Sequence, residues 1–255
     1  MPVSTHDCAS WAAQPWFAPL RDVLPLLAQS DARAALNHAA RARGIVNARG
    51  QAIEFVAAGD SGREAYEAHI FATGRVPTRE NLHDLFNALY WLTLPRLKGA
   101  LNALQAHVIA REGVGATRGR ARDLATLIDE SGLLLCCADP AVGDALARRD
   151  WQRLLVDWRA RWRSDIVAVI CGHALLEKLT RPYKALTAHV LVLDATVSPD
   201  HAAAQRVEAD GGAGAALELL PLPVLGIPGW WPANEDPRFY ADAQVFRPMV
   251  RDDAQ

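Results

Sequence analysis

The sequence predicts an α+β fold, mainly helical with short β-hairpins, in a single domain over residues 1–255. Apolar residues recur at helical spacing through most of the chain, and short β-prone runs bounded by turn residues interrupt them. The C-terminal part differs, because its prolines and aromatic residues favour an extended segment packed on a core. With 255 residues, of which 51% are apolar, the chain can bury a core of substantial size.

Charge, hydropathy and cysteine usage narrow the class of protein. The formal net charge of −2 and the pI near 6.4 argue against a generally basic surface, so nucleic acid is not expected as a partner. No apolar run reaches the roughly 20 residues that span a bilayer, and the N-terminus lacks the pattern of a signal peptide. The four cysteines form no CxxC pair and are expected to be buried and reduced. We therefore expect a cytoplasmic protein that does not enter a membrane.

Helical segments and a hairpin are predicted before residue 75. The helical segments are residues 16–29, interrupted at Pro25, residues 31–43 and residues 63–72. Gly44 and Gly74 follow the last two, and glycine is typical just beyond a helix C-terminus. Two β-prone runs between Ile45 and Val56 flank an Arg-Gly pair, which predicts the hairpin.

Two amphipathic helices are predicted between residues 79 and 108. Thr78 is expected to cap the first helix, which then starts near Arg79, and Pro95 ends or kinks it. An apolar stripe runs along each helix, and a row of polar or aromatic side chains lies beside it. These rows are His83, Asn87 and Trp91 on the first helix and Lys98, Asn102 and Gln105 on the second. We expect both rows to face one cavity.

The segment at residues 123–139 is predicted to form a hairpin. It divides into two short β-prone runs around residues 130–132, which have the composition of a turn. Residues 123–130 taken alone are equally consistent with a helix, and this alternative stays open.

The elements after residue 139 are predicted from prolines and glycines that start or interrupt elements and from the spacing of apolar residues. Pro140 begins one long helix, or a broken pair of helices, that extends to Arg163. A buried strand is expected at residues 166–171, and a helical pattern follows it. Residues 198–214 are rich in Ala, Gly and Asp and are predicted to form a mobile internal loop, while residues 249–255 are expected to be a flexible tail.

Several motifs between Phe71 and Pro248 occur in the order found in one known family. They are VPTRENLHDLFNALYW, LPRLKGALNALQ, RDLATLIDESG, GHALLEKL, LTAH, LPVLGIPGWWPAN and FYADAQVFRP. On these motifs the chain resembles the proteobacterial domain-of-unknown-function family 3025. That family is uncharacterised, so the resemblance implies an intact single domain but no activity, ligand or catalytic residue.

The sharpest functional hypothesis is a divalent metal ion in a pocket of histidines and carboxylates. His173 and Glu177 have the one-turn spacing that points two metal ligands the same way. The other candidate residues of these types are His83, Asp84, Asp129, Glu130 and His189. Such an ion can activate water for hydrolysis of an ester, amide or phosphoester. The leading prediction is a hydrolase-like protein that acts on an unknown small molecule. It uses His83, Asp84 and Asn87 as catalytic residues and His173 and Glu177 as metal ligands.

Simpler interpretations of the same residues stay open. The histidine and glutamate one turn apart are also explained by a hydrogen bond without a metal. A metal-free site would use His83 as a general base oriented by Asp129 or Glu177, with Lys98 or Lys184 stabilising negative charge. The chain contains no GxSxG, P-loop, GxGxxG or HExxH motif, so no recognised signature supports a different chemistry.

The competing functional class is a non-catalytic binding or interaction protein. Six arginines interleave with three tryptophans at residues 148–163, and these residue types can contact phosphates and stack on bases. The aromatic C-terminal segment is a second candidate surface. The tryptophans also fit a helical stripe that faces the core, so an exposed Trp158 or Trp162 would favour the binding interpretation.

Overall fold

The computed structural model of the protein describes residues 3–59, 66–112, 119–194, 197–210 and 217–249. The fold is α+β and mainly helical, as the sequence predicts. The α-helices within these ranges are α1 (Thr5–Ala12), α2 (Ala32–Ala42), α3 (Tyr66–Thr73), α4 (Leu82–Thr93), α5 (Pro95–Glu112), α6 (Arg120–Ser131), α7 (Pro140–Ala147), α8 (His173–Lys178) and α9 (Pro199–Asp210). None of these helices is long and apolar enough to cross a membrane.

The described strands form two small sheets. They are β1 (Glu54–Val56), β2 (Arg75–Pro77), β3 (Gly132–Cys136), β4 (Val167–Ile170), β5 (Thr187–Leu193) and β6 (Leu220–Pro223). Strands β1 and β2 pair in parallel, and the larger sheet has the order β4-β3-β5-β6. Within it β3 and β5 are parallel, while the two edge strands run antiparallel to their neighbours. Every residue of β3 is buried, which explains why that segment is a continuous apolar run.

Short 3₁₀ and π turns connect and flank these elements. They cover Pro15–Leu20, Leu24–Ala28, Gln152–Asp157, Arg159–Arg163, Val224–Gly226, Pro232–Glu235 and Pro237–Ala241. The first two replace the helix expected at residues 16–29, because prolines 15, 19 and 25 interrupt an α-helical ladder. The C-terminal segment packs on the core as predicted, through mutual ring contacts of Phe239, Tyr240 and Phe246.

The hairpin predicted at residues 123–139 is wrong. Residues 120–131 form α6, whose buried side chains Ala121, Ala125 and Ile128 have helical spacing. Only the second half of the segment is a strand, and β3 pairs with β4 and β5 rather than with its own neighbour in sequence. Long-range pairing therefore decided between the two interpretations that the local pattern left open.

The turn predicted between Ile45 and Val56 is present, but its second arm has another partner. Val46 and Ala52 form an antiparallel bridge, and Gly50 has a φ of 76° at the turn. The chain then leaves this pairing, and Glu54–Val56 runs parallel to β2. The sequence shows the tight turn, whereas the parallel partner lies about twenty residues further on.

Two boundaries differ from the predicted ones. Helix α4 starts at Leu82 rather than near Arg79, because Asn81 caps it by accepting a hydrogen bond from the Asp84 amide at 2.8 Å. The Thr78 hydroxyl instead donates to the carbonyl of Val76. The mobile loop predicted at residues 198–214 is also wrong over most of its length, since Pro199–Asp210 forms α9.

Helix α9 packs on α5 and buries Ala203, Ala204 and Val207. The Asp200 carboxylate accepts backbone hydrogen bonds from residues 96 and 97 at the start of α5. An alanine-rich composition thus serves close helix packing here rather than flexibility. Residues 211–214 of the predicted loop, and residues 250–255 of the predicted tail, lie outside the described ranges.

Candidate metal centre

Three helices bring two histidines and three carboxylates together. Helix α4 carries His83, the C-terminal end of α6 carries Asp129 and Glu130, and α8 carries His173 and Glu177. Helix α8 packs on both α4 and α6. The two histidines are 90 residues apart in sequence, so their meeting is a product of the tertiary fold.

Gly172 makes this close approach possible at the start of α8. A Cβ atom at this position would collide with the backbone of Ser131 and Gly132, at the end of α6. The absence of a side chain lets the first residue of α8, His173, lie directly against the end of α6. The sequence feature that positions the second histidine is therefore the glycine before it.

The nitrogen and oxygen atoms of His83, His173 and Glu130 converge on one point. The two Nε2 atoms are 3.0 Å apart, and the Glu130 Oε2 atom is 3.6 Å from that of His173 and 4.0 Å from that of His83. A single point lies about 2.1 Å from all three atoms. Zinc is held by histidine nitrogen and carboxylate oxygen at about 2.0–2.2 Å, so the triangle has the dimensions of a three-ligand metal site.

Each histidine also has a carboxylate on the opposite side of its ring. Glu177 Oε2 is 3.4 Å from the Nδ1 atom of His83, and Asp129 Oδ2 is 3.8 Å from the Nδ1 atom of His173. Histidines that ligate metals commonly direct their second nitrogen toward such a carboxylate, which orients the ring and raises its basicity. Neither contact is a hydrogen bond, and the buried Nδ1 atom of His173 has no hydrogen-bond partner among the described residues. The two carboxylates therefore act on the rings through their negative charge.

Burial sets the protonation of the site. It lowers the pKa of His173 to about 4, so this imidazole is neutral at pH 7, the form in which histidine binds a metal. Burial also raises the pKa of Glu130, and the nearby His83 acts in the opposite direction. For Asp129 burial opposes ionisation, but Lys98 and His173 outweigh it and hold the pKa below its usual value.

A buried polar network lies beneath the histidines. The Lys98 ammonium donates to Asp129 at 2.5 Å and to Asn87 at 2.6 Å, and the Asn87 amide donates to the Tyr66 hydroxyl at 3.1 Å. Lys98 is only 6% exposed. A small cavity of about 10 Å³ is lined by five of the six residues of the two predicted rows, whereas His83 lines the larger pocket described next. These residues are Asn87, Trp91, Lys98, Asn102 and Gln105.

A larger pocket of about 410 Å³ opens above this network. His83, His173 and Glu130 line it together with Glu67 and Arg79. Larger pockets of about 460 and 580 Å³ occur elsewhere on the described surface, but they contain no comparable cluster of histidine and carboxylate groups. Chemistry rather than size therefore identifies the candidate site.

The predicted site residues divide into two groups. His83, His173 and Glu177 meet, although Glu177 lies on the Nδ1 side of His83 rather than at the point between the two histidines. Asp84 instead binds the Arg79 guanidinium through both oxygens at 3.0 Å, and Asn87 belongs to the Lys98 network.

Glu130 completes the triangle, although the sequence offers it only as one of several carboxylates and favours Glu177 as the metal ligand. It lies on a different helix from both histidines, and no spacing rule links it to either. Lys184, considered as a cation for the site, lies elsewhere and pairs with Asp242 at 2.9 Å.

The arginines and tryptophans of residues 148–163 make contacts within the chain. Trp151 is buried, and Trp158 and Trp162 pack partly buried against the core. Arg159 binds Asn234 and Glu235, while Arg161 binds Asp139 and Asp165. The exposed tryptophan that would favour a binding surface is therefore not found at positions 158 or 162.

Comparison with known proteins yields one match. The model of a family described as "Protein of unknown function (DUF3025)" matches residues 53–250, a range that contains every residue of the candidate site. No curated protein matches the chain, and no solved structure does.

Proposed function

The chain belongs to the DUF3025 family of unknown function, and from its side-chain geometry we propose that it is a metal-dependent hydrolase of a small molecule. In this proposal His83, His173 and Glu130 bind one divalent transition-metal ion. Glu177 and Asp129 lie on the Nδ1 sides of His83 and His173 respectively, and their negative charges orient the two rings. The observation that carries the proposal is the convergence of three ligand atoms on a point about 2.1 Å from each.

The ligand set is compatible with zinc or iron, and a hydrolytic function favours zinc. Two imidazoles and one carboxylate form the set of many hydrolytic zinc sites, and they also form the facial triad of non-haem iron. A facial arrangement on an octahedral ion would place all three ligand atoms about 3.0 Å apart. The two histidine nitrogens have this separation, whereas the separations of 3.6 and 4.0 Å from Glu130 are wider and are closer to the roughly 3.4 Å of a tetrahedral site.

Three protein ligands leave a coordination position for water. The histidines and Glu130 line the 410 Å³ pocket, which has the size of small-molecule sites. A zinc-bound water has a pKa near 7 and supplies a nucleophile at neutral pH, while the ion polarises the carbonyl or phosphoryl group under attack. Asp84 and Asn87 are then positioning residues, which hold Arg79 at the pocket and Lys98 beneath it.

The unpaired cysteines support the cellular setting of this proposal. All four are free and buried, as expected of a chain in a reducing compartment. We accordingly place the activity in the cytoplasm.

The deciding experiment is elemental analysis of protein purified without an affinity tag. The parent is compared with His83→Ala, His173→Ala and Glu130→Gln, and with His38→Ala as a control at an exposed histidine outside the site. We expect about one equivalent of metal in the parent and the control, and loss of metal from the three site variants, all of which are checked for folding by circular dichroism.

Each result decides between the candidate functions. A parent without metal, even after incubation with zinc, manganese or iron, contradicts the proposal. The metal-free alternative, in which Glu177 orients His83 as a general base, would then be favoured because of their 3.4 Å contact. Stoichiometric metal without hydrolysis of ester, amide or phosphoester probes would instead favour a non-catalytic metal-binding protein.

A further inference from the structure

Glu67 lies at the boundary between the large pocket and the small cavity below it. It is in the first turn of α3 and lines both spaces. Its side chain accepts a hydrogen bond from the Asn102 amide at 2.7 Å, and the same amide also donates to the Glu67 backbone carbonyl at 2.9 Å. One carboxylate oxygen is thus held in place on the pocket wall.

The other acidic side chains around the pocket already have roles. Asp129 is ion-paired with Lys98, and Asp84 is ion-paired with Arg79. Glu130 forms the metal triangle, the set of three proposed ligands, together with His83 and His173. No ion pair among the described residues includes Glu67. It is therefore the carboxylate at the pocket that is left for proton transfer.

We propose that Glu67 is the general base and general acid of this site. The inference rests on the proposed function, because it needs a metal-activated water in the same pocket. Glu67, His83, His173 and Glu130 line the same pocket of about 410 Å³, a volume that one small substrate and a few waters would fill. The cavity below, of about 10 Å³, is close to the volume that one water requires.

The electrostatic surroundings of Glu67 suit proton transfer near neutral pH. Burial and the negative charge of Asp129 on α6 raise its pKa to about 7. Lys98 on α5, the Asn102 hydrogen bond and Arg122 on α6 act in the opposite direction but do not cancel this effect. A carboxylate with this pKa both accepts and returns a proton at physiological pH, which is what a general base that later acts as an acid must do.

The proposed reaction is the hydrolysis of an ester or amide, in which Glu67 moves one proton from water to the leaving group. The ionised Glu67 carboxylate takes one proton from water, and the resulting hydroxide attacks the substrate carbonyl carbon. The bond from that carbon to the alkoxide or amine leaving group then breaks, and the leaving group takes the proton from the Glu67 carboxyl. The products are a carboxylic acid and an alcohol or amine, and Glu67 returns to its ionised form.

The test uses full-length, zinc-loaded protein with p-nitrophenyl acetate and alanine p-nitroanilide as probes. The variants are Glu67→Gln, Glu67→Ala and the control Glu218→Gln, which changes an exposed glutamate outside the site. We expect Glu67→Gln to retain the zinc stoichiometry and the folded circular dichroism spectrum of the parent while kcat falls about 10²–10⁴-fold. Added formate should restore part of the activity of Glu67→Ala in proportion to its concentration, because a small carboxylate can enter the vacated space.

The outcomes separate this inference from the function on which it rests. Parent-like activity in zinc-loaded Glu67→Gln, or loss of activity in Glu67→Ala that formate does not restore, overturns the role of Glu67 and leaves the metal site standing. A parent that binds no metal overturns the proposed function itself. A zinc-loaded parent that hydrolyses neither probe counts against both.

Discussion

Replacement of Lys98 by methionine tests the buried network most directly. The lysine and Asp129 side chains are 7% and 13% exposed, and their charged atoms are 2.5 Å apart. Lys98→Met keeps the length of the side chain but leaves the Asp129 charge without its ammonium partner and the Asn87 oxygen without its donor. Removal of one partner from a buried ion pair costs about 3–5 kcal/mol in the free energy of unfolding. For a chain of this size we expect a fall in Tm of about 10 °C.

The assay is thermal and urea-induced unfolding in the presence of a chelator, so that bound metal does not add to stability. Lys178→Met is the matched control, because Lys178 is exposed and the substitution is the same. We expect the control to change the free energy of unfolding by about 0.5 kcal/mol or less. The double variant Lys98→Met/Asp129→Asn removes both charges and should be less destabilised than the sum of the single variants by about 2 kcal/mol or more.

Two results would refute this reasoning. A loss below about 1 kcal/mol in Lys98→Met would mean that water reaches Asp129 and that the pair is not energetically buried. Strict additivity in the double variant would mean that the two charges do not interact, whatever their separation. Either result would also remove the argument that Asp129 is fixed beside His173.

Three further predictions concern the site and its supports. Glu177→Gln should retain metal stoichiometry at saturation but weaken zinc affinity about 10–100-fold in competition with a chromophoric chelator, and unchanged affinity would show that Glu177 does not orient His83. The pKa of Glu67 is about 7 in the folded chain and 4.5 as its ordinary value, so its ionisation lowers stability as pH rises between these values. In chelator, Glu67→Gln should therefore match the parent near pH 4.5 and exceed it by up to about 3 kcal/mol at pH 8, and a pH-independent difference would contradict this. Gly172→Ala should lower the free energy of unfolding in urea by about 3 kcal/mol and should lower the metal content. Gly99→Ala in α5 should do neither, because a Cβ atom there meets nothing closer than 3.8 Å. Equal unfolding free energies for the two glycine variants would show that the α6–α8 contact relaxes freely.

Local signals in the sequence predicted those features of the fold that depend on local physics. Gly44 and Gly74 follow helices with φ values of 61° and 75°, as expected for residues without a Cβ. Pro140 begins α7. In each case the reason lies within a few residues, in a steric restriction on φ.

Signals that depend on distant partners were missed or misread. The segment that became α6 and β3 has local patterns that fit either a hairpin or a helix followed by a strand. Only pairing of β3 with β4 and β5, which lie about 35 and 57 residues further on, decides between them. The same holds for α9, because an alanine-rich helix with little amphipathic character shows its buried face only when α5 is placed against it.

The candidate site was half predicted for the same reason. Residue type and one-turn spacing selected both histidines and Glu177, but spacing along one helix cannot show which carboxylate lies between two histidines on different helices. In the fold, the end of α6 brings two consecutive acidic residues to that place. The one-turn pattern therefore selected Glu177, which lies on the Nδ1 side of His83. Glu130 reaches the two histidines only because α6 packs against α8.

The charges beneath the site explain why Glu130, rather than its neighbour Asp129, is the carboxylate in the metal triangle. Lys98 neutralises Asp129 and fixes it on the Nδ1 side of His173, so Asp129 is held as an orienting group. Glu130 is 40% exposed at the pocket and forms no ion pair with a lysine among the described residues, so under the proposed function its charge would be available to an incoming cation. Removal of the Lys98 charge should then free Asp129 to compete for the ion. Under the proposed function, the buried lysine would thus contribute to the choice of ligand as well as to the stability of the fold.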